Sequence, residues 1–353
     1  MYFIIKNMIS NEEIKKIREL LEKCQNPIFF FDNDLDGLAS FLILARYIGR
    51  GKGVVIKSFP DVNANYLRKV EEFNPDFVFV LDKPLVSQGF LVGLKQKNIP
   101  LVWIDHHDIS EIKDENIYYF NPRKGEKPSS EPVSYWCYKI CNKKEDMWLG
   151  VAGSIADGYM PEFVEEFNKL YPELKISKKS ALDAIYETEL GRIIQILNFA
   201  LKDRISNVVK MCKFLLKVKS PFEILEENSK TNLMHNRFRQ VNKKYKKLLE
   251  KAIKNSSEQV LFFQYSGDLS ISADLSNELF YRFPEKVIVV AYISGEKANI
   301  SIRGKINVKK IIEEILKEID GTGGGHENAC GAKISTEDVP KFKDMMIKLV
   351  SKK

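Results

Sequence analysis

Short apolar runs alternate with amphipathic stretches through the first third of this chain. The runs lie at Pro27–Phe31, Val54–Phe59, Phe77–Leu81 and Leu101–Ile104, and helix-period segments around Leu38–Ile48, Val62–Phe73 and Leu85–Lys97 separate them. Continuous apolar runs between amphipathic helices are the pattern of strands covered on both faces. The spacing therefore predicts an α/β fold with an N-terminal parallel sheet. In such sheets the ligand site is built by loops at the carboxyl ends of the strands. Three of those ends carry an acid, namely Asp32, Asp82 and Asp105.

Further along, the rhythm changes. From about Pro161 to Ser256 the pattern is helical and lysine-rich, with no convincing strand. Runs at Gln259–Tyr265, Val287–Ile293, Ala298–Arg303 and Gly331–Ser335 then read as strands, interleaved with helices near Leu275–Phe283, Val308–Ile319 and Val339–Val350. A chain of 353 residues has room for two or three domains. The expected division is a parallel-sheet domain at 1–160, a helical connector at 161–255 and a smaller α/β domain at 256–353. At the start, Ser10 and Glu13 have capping-box spacing ahead of Ile14, Ile17, Leu20 and Leu21, which predicts an amphipathic first helix.

Composition excludes several classes. The sequence is 44% hydrophobic and 29% charged, and its longest apolar runs, such as Val287–Ile293, fall far short of a bilayer span. The first residues lack a long apolar segment followed by a small-residue cleavage site, so a cytoplasmic protein with no membrane partner is expected. Five cysteines, with no CxxC pair, argue against a disulfide framework or a zinc site and for buried small hydrophobes. A formal net charge of +7 permits a nucleic-acid partner without requiring one.

The segment FFFDNDLDG places Asp32, Asp34 and Asp36 between a buried strand and a helix, with Gly37 allowing close backbone approach. Taken alone, it reads equally well as a solvated turn with helix-capping aspartates. The other strand ends change the balance. Asp82 follows FVFVL, and Asp105, His106 and His107 follow LVWI, so one sheet edge gathers carboxylates and two imidazoles. Like charges this close need a counter-charge, which a divalent cation supplies. Asp157, in VAGSIADGYMP, joins the set, its alternative being a helix C-terminal aspartate. Mixed carboxylate and imidazole donors suit Mn²⁺, with Mg²⁺ as the oxygen-preferring competitor.

In order and spacing, DNDLDG, Asp82, the DHH triplet at 105–107 and GSIAD ending at Asp157 resemble the four motifs of the DHH phosphoesterase superfamily. GTGGGHENACG, from Gly321 to Gly331, with SIR at Ser301–Arg303, resembles the DHH-associated C-terminal domain of RecJ-type nucleases. The resemblance implies that Asp34, Asp36, Asp82, His106 and Asp157 hold two divalent metal ions, with Asp82 bridging and Asp32 as an added ligand. It assigns Asp105 and His107 to orienting a ligand or touching phosphate. Two such ions could assist an in-line phosphodiester displacement without a covalent enzyme intermediate. No serine or cysteine here sits in a recognisable nucleophile motif.

The glycines Gly321, Gly323, Gly324 and Gly325 are expected in a loop whose N–H groups approach phosphate, with Arg303 and His326 adding charge or hydrogen bonds. In RFRQVNKKYKKLLEKAIK, an apolar stripe leaves Lys243, Lys244, Lys246, Lys247 and Lys251 outward. Such a face is usually just solvated, although it can also track a nucleic-acid backbone.

The function implied is a metal-dependent exonuclease on single-stranded DNA, RNA or both, similar to the archaeal RecJ-like group. Its Hef-associated branch would bring a trimer, 3′ to 5′ polarity and a Hef-type helicase partner. The alternatives are a phosphatase of short oligonucleotides or of 3′-phosphoadenosine 5′-phosphate, or a cyclic-dinucleotide phosphodiesterase. A catalytically silent scaffold is a third class, and it fits poorly with a full set of acidic ligands.

Overall fold

A computed structural model describes residues 9–58, 61–108, 115–124, 128–177, 180–254 and 259–351. It divides into two compact units, residues 1–238 and 239–353.

The first unit carries β1 (Ile28–Asp32), β2 (Lys52–Ile56), β3 (Asp61–Val62), β4 (Val78–Leu81), β5 (Leu85–Val86), β6 (Leu101–Ile104) and β7 (Ile117–Phe120). Five of these form a sheet of order β2-β1-β4-β6-β7 in which every neighbouring pair is parallel. Alternate residues of β1 point to opposite faces. Phe29 and Phe31 enter the core shared with the Leu35–Ile48, Val133–Cys141 and Met147–Ala156 helices. Ile28 and Phe30 enter the opposite core, which the Leu67–Phe73 and Gln88–Gln96 helices cover. Burial of each such side chain contributes on the order of 1.5–3 kcal/mol, which is why both faces of these strands are apolar.

The expected parallel sheet is present, with differences at its margins. Ile117–Phe120 is a strand that the apolar pattern did not reveal, because at the sheet edge Ile117, Tyr118 and Tyr119 are only partly buried. Two expected helices start later, at Leu67 and Gln88, because Asp61–Val62 and Leu85–Val86 first pair as a small parallel sheet. Ser10 does form the capping box with Glu13. All five cysteines are buried and free. No described helix is long and apolar enough to cross a membrane.

Between Pro161 and Lys254 the described residues form helices and no strand, as their pattern predicts. The Glu189–Leu201 helix buries Leu190, Ile193, Ile194 and Leu197 in the same core as the sheet, so much of the segment expected as a connector is integral to the first unit. The Asn232–Lys254 helix buries Val241, Tyr245, Leu249 and Ala252 at helical spacing, leaving Lys243, Lys244, Lys246, Lys247 and Lys251 exposed.

The second unit is a mixed sheet of β8 (Val260–Ser266), β9 (Val287–Ser294), β10 (Lys297–Arg303), β11 (Gly321–His326) and β12 (Ala329–Ser335), in the order β11-β12-β10-β9-β8. Only the β8–β9 pair is parallel. Its core joins Val289, Ala291, Ile300 and Ile302 to Ile312, Ile315, Phe342 and Met346 from two helices. One expectation is corrected here. Gly321, Gly323, Gly324 and Gly325 are not a loop but an edge strand that pairs with β12 along its length. Gly325 has φ +134°, and a Cβ there would lie 2.5 Å from the Ala329 carbonyl oxygen, so the turn into β12 demands glycine.

Candidate metal centre

The acidic site of the first unit is assembled at the carboxyl edge of its sheet, where β1, β4 and β6 end side by side. After β1 the chain turns at once into a helix. Asp34 caps that helix by accepting the Gly37 N–H at 3.0 Å. A Cβ on Gly37 would lie 2.6 Å from both the N and O of Asp32, so only glycine lets the helix start this close to the strand end.

Asp36 is reached from far along the chain. Its carboxylate accepts the backbone N–H groups of Val133 and Ser134, each at 2.8 Å, together with the Ser134 hydroxyl. These are the first N–H groups of the Val133–Cys141 helix, which have no partner within the helix, so Asp36 satisfies them.

Asp82, directly after β4, has φ +59°, in the left-handed region that costs a non-glycine residue on the order of 1–3 kcal/mol. It is 2% exposed. From β6, His106 Nε2 lies 3.4 Å from Asp82 Oδ1 and 3.6 Å from Asp157 Oδ2. Its Nδ1 faces the Ser130 carbonyl at 3.5 Å, and Arg123 Nε donates to the His106 carbonyl at 2.6 Å. Asp105 is fully buried and ties down His107, meeting its Nδ1 at 2.7 Å and accepting its backbone N–H at 3.0 Å. Asn121 donates to the His107 carbonyl at 2.9 Å and to Asp105 at 3.4 Å, which locks this pair.

Burial and like charge set the electrostatics of the cluster. Burial, then the charges of Asp34, Asp36, Asp32 and Asp157, push the Asp82 carboxyl well above the usual range. Loss of hydration among these neighbours, followed by the charges of Asp32 and Asp36, raises the Asp34 carboxyl to about 6, although the residue as a whole is exposed. Asp36 also rises to about 6, chiefly through burial and then the charge of Asp157. Burial alone would lower His107, but the hydrogen bond and charge of Asp105 outweigh it and raise the imidazole.

Donor geometry fits divalent cations. Ligand atoms of Asp32, Asp34 and Asp82 lie within 4.8 Å of one another, and so do those of Asp82, His106 and His107. Asp82 is common to both groups, in the position of a bridging ligand. Carboxylate oxygens with imidazole are donors that Mn²⁺ and Mg²⁺ accept. His107, expected only to orient or to touch phosphate, thus stands close enough to ligate. Asp36 and Asp157 fall outside these two groups, although both carboxyls act electrostatically on the cluster.

The sequence reading missed Lys83. Its side chain is fully buried, and Nζ donates to Asp32 Oδ1 at 2.9 Å and to the Ser58 carbonyl at 3.0 Å. A lysine directly behind a strand-end acid and ahead of Pro84 was the available signal. Asn121 and Ser134 carried none, because each acts through contacts distant in sequence.

In the second unit, Arg303 of β10 and His326 of β11 both stand across from Ala329 of β12, at one end of the sheet. Arg303 Nε donates to Asn277 Oδ1 at 2.7 Å. Gly323, Gly324 and Gly325 continue along β11 from His326.

Residues 257–352 match the DHHA1 domain. Among solved structures, RecJ in complex with Mn²⁺ from Thermus thermophilus is similar at 14% identity and a TM-score of 0.68, over 96% of this chain and 55% of that one. The chain therefore spans about half the length of that RecJ. An exonuclease RecJ bound to manganese aligns at 15% identity and a TM-score of 0.63, covering 96% of this chain and 94% of that one. The pGpG-specific phosphodiesterase PggH from Vibrio cholerae aligns at 12% identity and a TM-score of 0.51, covering 93% and 99%. Among curated proteins, no match to the sequence is found. The fold is that of the RecJ structures, and residues 257–352 within it match the DHHA1 domain.

Proposed function

We propose that this chain is a metal-dependent phosphodiesterase that removes nucleotides from the end of single-stranded DNA or RNA. The observation that carries the reading is the position of Asp82, shared by two groups of metal-capable side chains. Bound there, a pair of divalent ions, Mn²⁺ in preference to Mg²⁺, would supply the Lewis acidity that makes water nucleophilic and offsets phosphate charge. Asp32, Asp34, Asp36, Asp82, His106 and Asp157 hold the ions in this reading. His107, its Nδ1 tied to Asp105, meets a metal or a phosphate oxygen through Nε2. Arg303, His326 and the peptide N–H groups around Gly323, Gly324 and Gly325 contact the nucleotide. Support for nucleic acid as the substrate comes from the likeness to the RecJ exonuclease and from the lysines exposed along the Asn232–Lys254 helix.

The likeness to PggH, which runs over nearly the whole of both chains, favours a second reading with the same chemistry and a dinucleotide or short oligonucleotide as substrate. Strand length separates the two. Each phosphate contacted by a lysine releases counterions, so a strand-tracking exonuclease gains kcat/KM with length and loses that gain as salt rises. Labelled single strands from two to about twenty nucleotides, assayed with Mn²⁺ at low and moderate salt, are expected to show that rise. A flat or falling dependence selects the short-substrate reading. No hydrolysis of any length overturns both.

A further inference from the structure

Lys83 brings its ammonium into direct contact with a carboxylate of this cluster. It has no exposed side-chain surface, and its ammonium sits 2.9 Å from Asp32 Oδ1. A buried ammonium is costly unless paired and hydrogen-bonded, and this one is both, since the Ser58 carbonyl accepts from it at 3.0 Å. Its backbone is fixed as well. The chain kinks at Asp82, Trp103 Nε1 donates to the Lys83 carbonyl at 2.8 Å, and Pro84 follows. Lys83 is thus built into one side of an acidic site.

The two sides are therefore unlike. Asp32, Asp34 and Asp82 share their space with this ammonium. Asp82, His106 and His107 gather around imidazoles, which ligate metal in their neutral form. An ion entering the first group meets the repulsion of Lys83 at short range and competes with it for Asp32, whereas one entering the second does not face that competition.

We propose that Lys83 is a resident counter-cation that orders metal loading: the His106 side takes a divalent ion first, and the Asp32 side takes one only at higher concentration. Lys83 is a positioning residue here, acting through Asp32, and the inference rests on the metal-dependent reading above.

Calorimetric titration of Mn²⁺ into the full chain tests it. The wild type is expected to bind in two steps whose dissociation constants differ by at least about tenfold. Lys83→Gln, which keeps a donor for Asp32 but no charge, should tighten the second step by about tenfold or more and leave the first within about threefold. Lys83→Arg should keep the wild-type separation. Thermal melts with and without Mn²⁺ accompany each titration, and a variant that unfolds without metal should regain its melt on loading. Two equal steps in the wild type, or an unchanged second step in folded Lys83→Gln, would overturn the inference while leaving the metal-dependent reading intact. No Mn²⁺ binding by the wild type would instead bring down that reading itself.

Discussion

The carboxylate of Asp36 accepts the backbone N–H of Ser134 at 2.8 Å, across 98 residues of chain. A side chain in the Leu35–Ile48 helix thereby fixes where a second helix, distant in sequence, begins. Asp36→Ala would leave the Val133 and Ser134 N–H groups without their acceptor. It is expected to cost about 1–3 kcal/mol in urea denaturation with chelator present. Asp36→Asn keeps one acceptor oxygen and should cost less, while both variants lose Mn²⁺ affinity.

Asp82→Asn should separate function from stability. Removing the charge shared by both ligand groups is expected to lower kcat/KM at least about 100-fold, and His106→Ala should do likewise. Metal-free Asp82→Asn should nonetheless melt higher than the wild type, because a buried carboxylate among four other acids is no longer there to be ionised. A lower melt would mean that Asp82 is needed to hold the apo fold.

Stability of the metal-free chain should rise as pH falls. Asp34 and Asp36 titrate near 6 in the fold against an ordinary value of 3.8. Their folded pKa is raised, so their contribution is fully present below the ordinary value and is lost as pH climbs through about 6. The raised His107 acts in the same direction. Melts in chelator are expected at least about 2 °C higher near pH 5 than near pH 7.5, and saturating Mn²⁺, which needs ionised ligands, should reverse the trend.

Arg303→Ala and His326→Ala should each raise KM for a short single strand by about tenfold, with Mn²⁺ content unchanged by metal analysis. Loss of metal in step with activity would contradict their assignment to phosphate.

The parallel sheet was legible because residues such as Phe29, Phe30, Val78 and Val80 are buried on both faces and form unbroken apolar runs. β7 was not, because an edge strand buries less and tolerates tyrosine. Asp32, Asp82 and Asp105 could be placed at one edge from strand ends alone, since parallel strands finish together. What the acids do to one another could not. Whether Asp36 caps a helix, or Asp32 meets Lys83, depends on contacts between segments that no local spacing encodes. The glycine run misled for a related reason. Glycine disfavours strands in isolation, but the ladder to β12 imposes one here.

The bond from Trp103 Nε1 to the Lys83 carbonyl couples an indole to the residue next to Asp82. Indole emission responds to the polarity and hydrogen bonding around its N–H, so the sheet contains its own optical probe of the site. With Trp136 and Trp148 replaced by phenylalanine, fluorescence from Trp103 would follow ion occupancy in real time, and stopped-flow mixing could read the order in which the two sides fill.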